Sequence, residues 1–542
     1  MKQIKLTFLL AVLMSMVGAR ALAYDFAAKN ADGVTIYYNK INDKEAEVTY
    51  NNADKYSGHV VIPNRVYGRY NVSRIGSSAF HSCTSLTSVD ITDYVTSIGA
   101  GAFCGCTSLI SVTIPNSVTS IGYQAFEDCS ALRHINIPNS VRVIESEAFA
   151  GTAWYNNQPD GVVYAGLFAY NYKGTMPENA HITIKEGTQG IAEYAFKDCT
   201  GLTSIYIPQS VNIINRNAFS GCKGLTSFTI PDGVTTICDY AFWYCSGLTS
   251  VTFGKNVMSI GKDVFYGCPN LTSVTINSNN LVSANYSAQN PLQNVLGIEM
   301  KSCVLGEDVT NIGNNVFYGC KSLTSISLPN GVINIGYRAF QNCSALMTID
   351  IPNSVTNIGT GAFCGCTGLT SINIPISISK IEENTFIDCS SLISVTIPNS
   401  VTSIGKGAFY DCSGLTSITI GQNVTSIGAK AFYGCTNLNT VISFIENPIN
   451  SPINGINSSS SVFSAKTFNN AILNVPIGTI EKYQSTNGWK DFVHIEEFDP
   501  AGIINVNREA ITNNRYYTLD GREVELPTKG IYILNGKKVV VK

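Results

Sequence analysis

A phenylalanine that recurs every 23 residues constrains this chain more than any other feature of its sequence. The recurrence comes in three runs: Phe80, Phe103, Phe126 and Phe149; Phe196, Phe219, Phe242 and Phe265; Phe317, Phe340, Phe363, Phe386, Phe409 and Phe432. Gaps of 47 and 52 residues separate the runs, so each hides one irregular unit, at about 150–195 and 277–316. A fixed period of this length predicts a solenoid of stacked coils, here 16, each of which buries its apolar side against its neighbours.

The unit from 103 to 126 shows how one coil is built. Residues 111–114 alternate between hydroxyl and β-branched apolar side chains, which indicates a short strand, and Pro115 ends it. Val112 and Ile114 then face inward. Ala125 and Cys129 are four residues apart, a spacing that favours one helical or 3₁₀ turn. The sequence therefore predicts an α/β repeat solenoid with one short parallel strand and one short helical segment in each unit.

The irregular units keep part of this pattern. Lys173 and Asn294 occupy the places of the missing phenylalanines. Strands are still marked by apolar pairs, which are Ile182 with Ile184 and Cys303 with Leu305. The glycine that follows the second apolar position is replaced in other coils by Glu145, Asn215, Cys238 and Glu382. A glutamate tolerates a positive φ poorly, so this position favours a small residue without needing a left-handed backbone.

The strand pattern Leu109-x-x-Val112-x-Ile114 and the fuller pattern over 98–115 resemble the BspA-like leucine-rich repeats of bacterial surface proteins. The resemblance covers roughly residues 60–442. It implies a right-handed coil and adhesion to host matrix proteins or other cells, with the repeats as the binding region. Ser117 and Ser140 depart from the pattern, because ordinary leucine-rich repeats carry asparagine after the strand.

Composition shifts place the domain boundaries. Residues 1–23 have the basic start, short apolar core and small-residue end of a signal peptide. An N-terminal β cap at 24–75, the solenoid at 76–442, a C-terminal cap at 443–498 and a tail at 499–542 follow. The tail has two hairpin patterns, with turns at Asp520-Gly521 and Asn535-Gly536, and it resembles type IX C-terminal sorting modules. We therefore expect a secreted protein or one at the bacterial cell surface, associated with the outer membrane. No segment of the mature chain is apolar enough to span a bilayer.

Seventeen cysteines raise the question of disulfides or metal sites. Thirteen of them stand three residues after a repeat phenylalanine, from Cys83 to Cys435. Equivalent side chains in stacked coils point the same way, so they fit disulfide geometry poorly, and the count is odd. Buried free thiols that donate to nearby carbonyl groups are the favoured interpretation. The Cys-Gly-Cys pairs at 104–106 and 364–366 lack the spacing of zinc ligands, so no metal site is expected.

The sequence predicts neither a catalytic residue nor a cofactor. Its five histidines lie in distant parts of the chain, and no hydrolase, phosphate-binding or metalloprotease motif is present. Glu145, Glu147, Glu382 and Glu383 are interpreted as solvated loop charges. Charged residues make up 13% of the chain, the net charge is -3, and no basic stripe is present, so nucleic acid is excluded as a partner.

The outward side chains of the strands are the predicted binding face, with a host matrix or cell-surface protein, or a glycan, as ligand. They are mostly serine and threonine, which also suit any solvated sheet. Tyr206 and the group Phe242-Trp243-Tyr244 are candidate hot spots. The full candidate set is Thr113, His134, Asn136, Tyr206, Thr229, Trp243, Tyr244, Thr252, Thr275, Asp350, Asn373, Thr396 and Thr419. An adhesin-like protein is the leading hypothesis; a glycan-capturing protein and a passive envelope scaffold are the alternatives.

Overall fold

A computed structural model describes residues 24–51, 55–449 and 460–500, together with five strands between 504 and 541. The predicted signal peptide lies outside the described residues. Two compact units make up the chain, Met1–Thr249 with Val257–Asn270 and Ser250–Asn256 with Leu271–Lys542. The predicted solenoid of 23-residue coils is confirmed within each of them.

Two columns of short strands form the first unit. An antiparallel meander opens one column and continues into parallel two-residue strands: Phe26–Lys29, Thr35–Lys40, Glu45–Thr49, Arg65–Val66, Tyr70–Ile75, Ser97–Ile98, Ser120–Ile121 and Val143–Ile144. The hairpin of the first irregular coil, Gly161–Ala165 with Phe168–Lys173, begins a second sheet of this column, which continues with Gly190–Ile191, Ile213–Ile214, Thr236–Ile237 and Ser259–Ile260. The other column holds the predicted strands: Gly58–Val61, Leu86–Asp90, Ser111–Thr113, Ala180–Thr183, Leu202–Tyr206 and Ser227–Thr229. Most coils therefore have two strands, one more than the sequence predicted.

The second unit repeats this plan. The strands that the repeat pattern predicted are Ser250–Phe253, Ser273–Ile276, Ser302–Leu305, Ser325–Ser327, Ser394–Ile397, Ser417–Ile420 and Thr440–Ser443. Ile472–Pro476 and His494–Phe498, in the predicted C-terminal cap, extend the same column. The shorter strands of the unit are Asn311–Ile312, Asn334–Ile335, Asn357–Ile358, Lys380–Ile381, Ser403–Ile404 and Ser426–Ile427. Parallel pairing continues past the last repeat, because Thr440–Ser443 pairs with Ile472–Pro476 and the latter pairs with His494–Phe498.

The predicted helical turn around each repeat phenylalanine is wrong. Gln124 and Asp128 have φ angles of 54° and 56°, and left-handed residues break a helix into two successive tight turns. Alternate N–H groups then point along the stack: those of Gln124, Phe126 and Asp128 donate to carbonyl groups of the next coil at 2.8–3.1 Å. Ala125 and Cys129 are nevertheless fully buried, as the spacing predicted.

The described residues contain short helices only, at Ala153–Asn156, Asn279–Ser283, Leu292–Leu296, Ala465–Asn470 and Ile480–Ser485. Three of them lie in the irregular coils, whose predicted strands at Ala180–Thr183 and Ser302–Leu305 are confirmed.

The predicted places of the missing phenylalanines are wrong. Tyr170, from the hairpin of the first irregular coil, packs against Phe149 with a ring distance of 5.4 Å, whereas the Lys173 ammonium bonds the carbonyl group of Asn156. In the second irregular coil Leu292 and Leu296 fill the core and Asn294 is exposed.

Stacked phenylalanine rings and a column of thiols fill the core of each unit. Successive rings within a run lie 4.9–5.7 Å apart and are nearly parallel, as in the pairs Phe80–Phe103 and Phe126–Phe149. All seventeen cysteines are free. Cys129 is typical of the column: its thiol donates to the carbonyl oxygen of Phe103 at 3.1 Å. The prediction of buried free thiols is confirmed.

The glycine after each short strand lets coils approach closely. A Cβ atom on Gly122 would lie 2.7 Å from the backbone nitrogen of Ala100, and one on Gly359 would lie 2.7 Å from that of Tyr337. Neither glycine has a positive φ, so the prediction of a small residue without left-handed geometry is confirmed.

The tail forms its own five-stranded sheet from Ile504–Val506, Tyr516–Tyr517, Glu523–Val524, Gly530–Leu534 and Lys537–Val541. Tyr516–Tyr517 pairs with Glu523–Val524, and Gly530–Leu534 pairs with Lys537–Val541, both in antiparallel register. These are the strand pairings of the two predicted hairpins. The turn residues between them lie outside the described residues.

Removing one ring from the phenylalanine column should destabilise its unit strongly. Phe340 is fully buried between Phe317 and Phe363. We expect Phe340→Ala to lower the free energy of unfolding by about 3–5 kcal/mol, because it deletes a fully packed aromatic side chain. Tyr337→Ala, three residues away on the surface, should cost less than about 1 kcal/mol. Urea denaturation followed by circular dichroism measures the free energy of unfolding of both variants. Equal decreases would contradict the conclusion that the phenylalanine column stabilises the unit.

The thiols should be unreactive while the protein is folded. Burial raises the pKa of Cys83 to about 11 and that of Cys199 to about 12, so almost no thiolate is present at neutral pH. We expect Ellman's reagent to modify at most Cys104, Cys238 and Cys364, the three that are partly exposed. Unfolding without reductant should then release all 17 thiols. Fewer thiols after unfolding would indicate disulfides instead.

Candidate functional site

The strand face consists of the outward side chains of the predicted strands. In the strand Ser111–Thr113 the hydroxyl residues are exposed and Val112 is buried, as the alternation predicted. Of the candidate residues on this face, those that are exposed are Thr113, His134, Asn136, Tyr206, Thr229, Asp350, Asn373 and Thr396. Thr252, Thr275 and Thr419 are only partly exposed.

Four of these candidates lie in irregular stretches of the strand face. Residues 134–137, 348–351 and 371–374 are not assigned as strands, although their sequences follow the strand pattern. His134, Asn136, Asp350 and Asn373 stand there, where the usual serine or threonine is replaced. The departures from the hydroxyl pattern therefore coincide with a less regular backbone.

Histidines on the strand face pair with serines of the neighbouring coil. His59 Nδ1 lies 2.7 Å from Ser88 Oγ, and its Nε2 lies 3.6 Å from Asp90 Oδ2. The residue types are those of a serine-hydrolase triad, but the ring nitrogens are exchanged, because in the triad Nε2 contacts the serine and Nδ1 the aspartate. His181 makes the same contact with Ser204 at 2.6 Å in another pair of coils. Because the contact recurs and its side chains are exposed, it serves as a cross-strand pair rather than as a nucleophile with its base.

A second face is formed by the tight turns, from two residues before each repeat phenylalanine to two residues after it. We call it the turn face. The candidates Trp243 and Tyr244 lie here and not on the strand face with Tyr206, so the predicted single binding face is wrong for them. Phe242, the third member of that group, is fully buried in the phenylalanine column.

In the first unit the turn face carries an aromatic patch, which we define as Tyr240, Trp243, Tyr244 and Tyr266. Trp243 lies 4.5 Å from Tyr244 and 6.2 Å from Tyr240, with the rings edge to face. Tyr244 in turn meets Tyr266 at 6.0 Å. The Arg216 guanidinium stands over the Tyr240 ring at 5.5 Å. Tyrosine, tryptophan and arginine are the residues most enriched in protein-binding hot spots.

Several turn-face tyrosines adopt a left-handed backbone. Tyr194, Tyr240 and Tyr244 have φ angles of 55–58°. Bulky side chains rarely adopt this conformation, which costs about 1–2 kcal/mol. Most other coils place glycine, asparagine, aspartate or serine there, although Gln124, Glu147, Arg338 and Lys430 also occupy such positions. Strained positions occupied by unsuited residues are concentrated at functional sites.

A cleft of about 830 Å³ opens beside the patch, where the first irregular coil interrupts the turn face. Its walls are the turn at 145–150, the turn at 193–197, and the hairpin residues Tyr170 and Asn171. In regular coils the next turn accepts the N–H group of the repeat phenylalanine. Here the N–H of Phe149 donates instead to the hydroxyl of Tyr170 at 3.0 Å. The hairpin therefore replaces a turn and leaves the space open.

Three glutamates converge on this cleft. Oε2 of Glu145 accepts from the N–H of Tyr123 at 2.7 Å, and Oε2 of Glu193 accepts from that of Ser146 at 3.3 Å. Glu147 accepts from the side chain of Gln124 at 2.8 Å. Glu145 and Glu147 are exposed, as predicted for solvated loop charges, and these hydrogen bonds also orient their carboxylates. Glu382 and Glu383 do pair with surface lysines, at 3.6 and 3.5 Å.

Burial raises the pKa of the Glu193 carboxyl. The Ser146 N–H and the Arg216 guanidinium oppose this rise, whereas the Glu145 carboxylate adds to it. Lys197 and Arg216 also line the cleft, with the Lys197 ammonium 5.1 Å from the centre of the Tyr194 ring. The cleft therefore presents charges of both signs beside tyrosine rings.

Among the described residues, no group of three or more His, Cys, Asp or Glu side chains could hold a metal ion. Within the same part of the chain, no helix is long and apolar enough to cross a membrane.

The repeats also match a known family. Six copies of the BspA type leucine rich repeat region are found, at residues 62–158, 168–291 and 310–439, which together exceed half of the chain. The chain belongs to the BspA-type leucine-rich-repeat family. The resemblance predicted from the strand pattern over roughly 60–442 is thereby confirmed.

Several solved structures are similar to this BspA-type protein. A leucine-rich repeat protein from Bacteroides ovatus is 29% identical, covers 77% of this chain and 94% of its own, and has a TM-score of 0.36. A leucine rich cell surface protein from Faecalibacterium prausnitzii is 28% identical over 77% of this chain and 95% of its own, with a TM-score of 0.25. The pneumococcal vaccine antigen PcpA is 14% identical over 88% and 99%, with a TM-score of 0.28. No curated protein matches the chain.

Proposed function

We propose that this BspA-type protein is a secreted or surface-exposed, adhesin-like binding protein that docks a host matrix or cell-surface protein. The observation that carries the proposal is the exposed aromatic patch on the turn face of the first unit. Two of its three tyrosines, Tyr240 and Tyr244, occupy positions with a left-handed backbone. Leucine-rich-repeat solenoids typically bind rather than catalyse, and repeat proteins use extended surfaces for binding.

The turn face is favoured over the strand face by the size of its side chains. Tyrosine and tryptophan supply large contact areas and lose little conformational entropy on binding, since each has only two side-chain torsions. The serine and threonine columns of the strand face offer short, well-hydrated hydroxyl groups instead. Arg216, held over Tyr240, adds a cation at the edge of the patch. We therefore place the main contact at the patch and regard Tyr206, exposed on the strand face, as a secondary contact.

The same proposal covers the location of the protein. Its support is the signal-peptide pattern over 1–23 and the sorting-like pattern of the tail at 499–542. A membrane-impermeant biotin reagent should label the protein on intact cells, and deletion of the tail should release it into the medium. Labelling only after cell lysis would contradict a surface location.

Truncating the patch should weaken capture of the protein ligand. We expect Trp243→Ala and Tyr266→Ala each to weaken binding about tenfold or more, because hot-spot truncations cost about 2 kcal/mol or more. Immobilised matrix proteins and a panel of glycans, probed with the full chain, identify the ligand, and biolayer interferometry then compares the variants.

Tyr433→Ala is the matched control. Tyr433 stands one residue after its repeat phenylalanine, as Trp243 does, and its exposed fraction is 39% against 38% for Trp243. Loss of binding on Tyr433→Ala or Tyr206→Ala alone would contradict the turn-face site. Binding of glycans only would favour the glycan-capturing alternative. Binding to nothing on the panel, with a damaged envelope after gene deletion, would favour a scaffold.

A further inference from the structure

We propose that the cleft of the first irregular coil binds a neutral saccharide. This site goes beyond the protein-docking proposal, because it takes a small polyhydroxylated ligand and is formed by other residues than the aromatic patch. Its volume of about 830 Å³ lies within the range of small-molecule sites, about 300–1,000 Å³.

The charges of the cleft argue for a neutral ligand. A cationic side chain would meet Lys197 and Arg216, and an anion such as phosphate would meet Glu145, Glu147 and Glu193. Among the described residues no ion pair within 4.0 Å joins either cation to a carboxylate, so both remain available to a ligand, although Arg216 lies close enough to Glu193 to oppose the rise of its pKa. A sugar can bind to both the carboxylates and the cations, because each hydroxyl group can donate to a carboxylate and accept from a guanidinium or ammonium group.

The carboxylates are fixed before any ligand arrives. Backbone N–H groups hold one oxygen of Glu145 and one of Glu193, and the Gln124 amide holds one of Glu147. Glu145 and Glu193 each keep a second oxygen for a ligand, whereas Glu147 is also hydrogen-bonded to the Tyr123 side chain. Acceptors oriented in this way lose little side-chain entropy when a ligand binds, which is an advantage for a weakly hydrophobic ligand.

Tyrosine rings complete the lining. Tyr123 and Tyr194 line the cleft from the turns of two different coils, and Tyr155 lines it beside Tyr170, with a ring distance of 6.1 Å. The faces of aromatic rings carry partial negative charge and attract the polarised C–H groups of a sugar ring. The Tyr155 hydroxyl donates to Asn171 Oδ1 at 2.6 Å, which leaves the Asn171 amide N–H groups as donors towards the cleft.

Isothermal titration of the full chain with maltotriose, cellotriose, mannotriose, xylotriose and chitotriose tests the proposal. At least one trisaccharide should give saturable heat, and Tyr123→Ala and Glu145→Gln should each weaken that binding about tenfold or more. The chain offers matched controls at equivalent repeat positions. Tyr337→Ala removes a tyrosine with an exposed fraction of 40%, against 42% for Tyr123, and Glu382→Gln neutralises the glutamate equivalent to Glu145. Both controls should leave the titration unchanged.

Three results would overturn the saccharide site. One is the absence of saturable heat for all five sugars up to about 10 mM with folded protein. Another is equal binding by the cleft variants and their controls. The third is binding of hexalysine or inorganic phosphate that Tyr123→Ala abolishes, since this would assign the cleft to a charged ligand. Trp243→Ala should leave the sugar titration unchanged, and the cleft variants should leave capture of the protein ligand unchanged, so the two proposals can fail separately.

Discussion

The structure depends on one hydrogen bond that is repeated between regular coils: the N–H of the repeat phenylalanine donates to a carbonyl group of the next coil. The pairs Phe126 with Ala148 and Phe340 with Ala362 show it at 2.8 Å in the two units. Right-handed and left-handed residues must alternate around the phenylalanine for its N–H to point along the stack. This alternation stacks the rings about 5 Å apart, close to the spacing of neighbouring strands. It also brings the thiols of the cysteine column, such as that of Cys129, within hydrogen-bond distance of the carbonyl group of an earlier phenylalanine.

The same constraint explains what the sequence could and could not predict about the fold. The strand at 111–113, the burial of Phe103 and Cys106 and the free thiols followed from periodicity and side-chain chemistry alone. The prediction of a helical turn was wrong because two buried residues four positions apart are compatible both with one helical turn and with two successive tight turns. Gly101 and Gly105, two residues before and after Phe103, both have positive φ and were the signal for the tight turns.

The candidate site was harder to predict because two of its walls are far apart in sequence. Glu145 and Glu193 are separated by the irregular coil, whose hairpin no period describes. The 23-residue period assigned Lys173 to the position of the missing phenylalanine, which Tyr170 occupies in the structure. The period therefore gave no sign of the cleft that the hairpin leaves open. The sequence identified Trp243 and Tyr244 as candidate hot spots. The predicted helical turn did not show that they lie on the turn face and not on the strand face. Only the coil-to-coil hydrogen bonds show that these are different surfaces.

Hydroxyl-radical footprinting of the full chain, with and without its captured protein ligand, tests the proposed docking surface most directly. The method reports the solvent exposure of tyrosine and tryptophan side chains, which this surface is made of. We expect the ligand to protect Tyr240, Trp243, Tyr244 and Tyr266, and to leave Tyr410 and Tyr433 of the second unit unchanged. Protection confined to Tyr206 and other residues of the strand face would contradict a turn-face site.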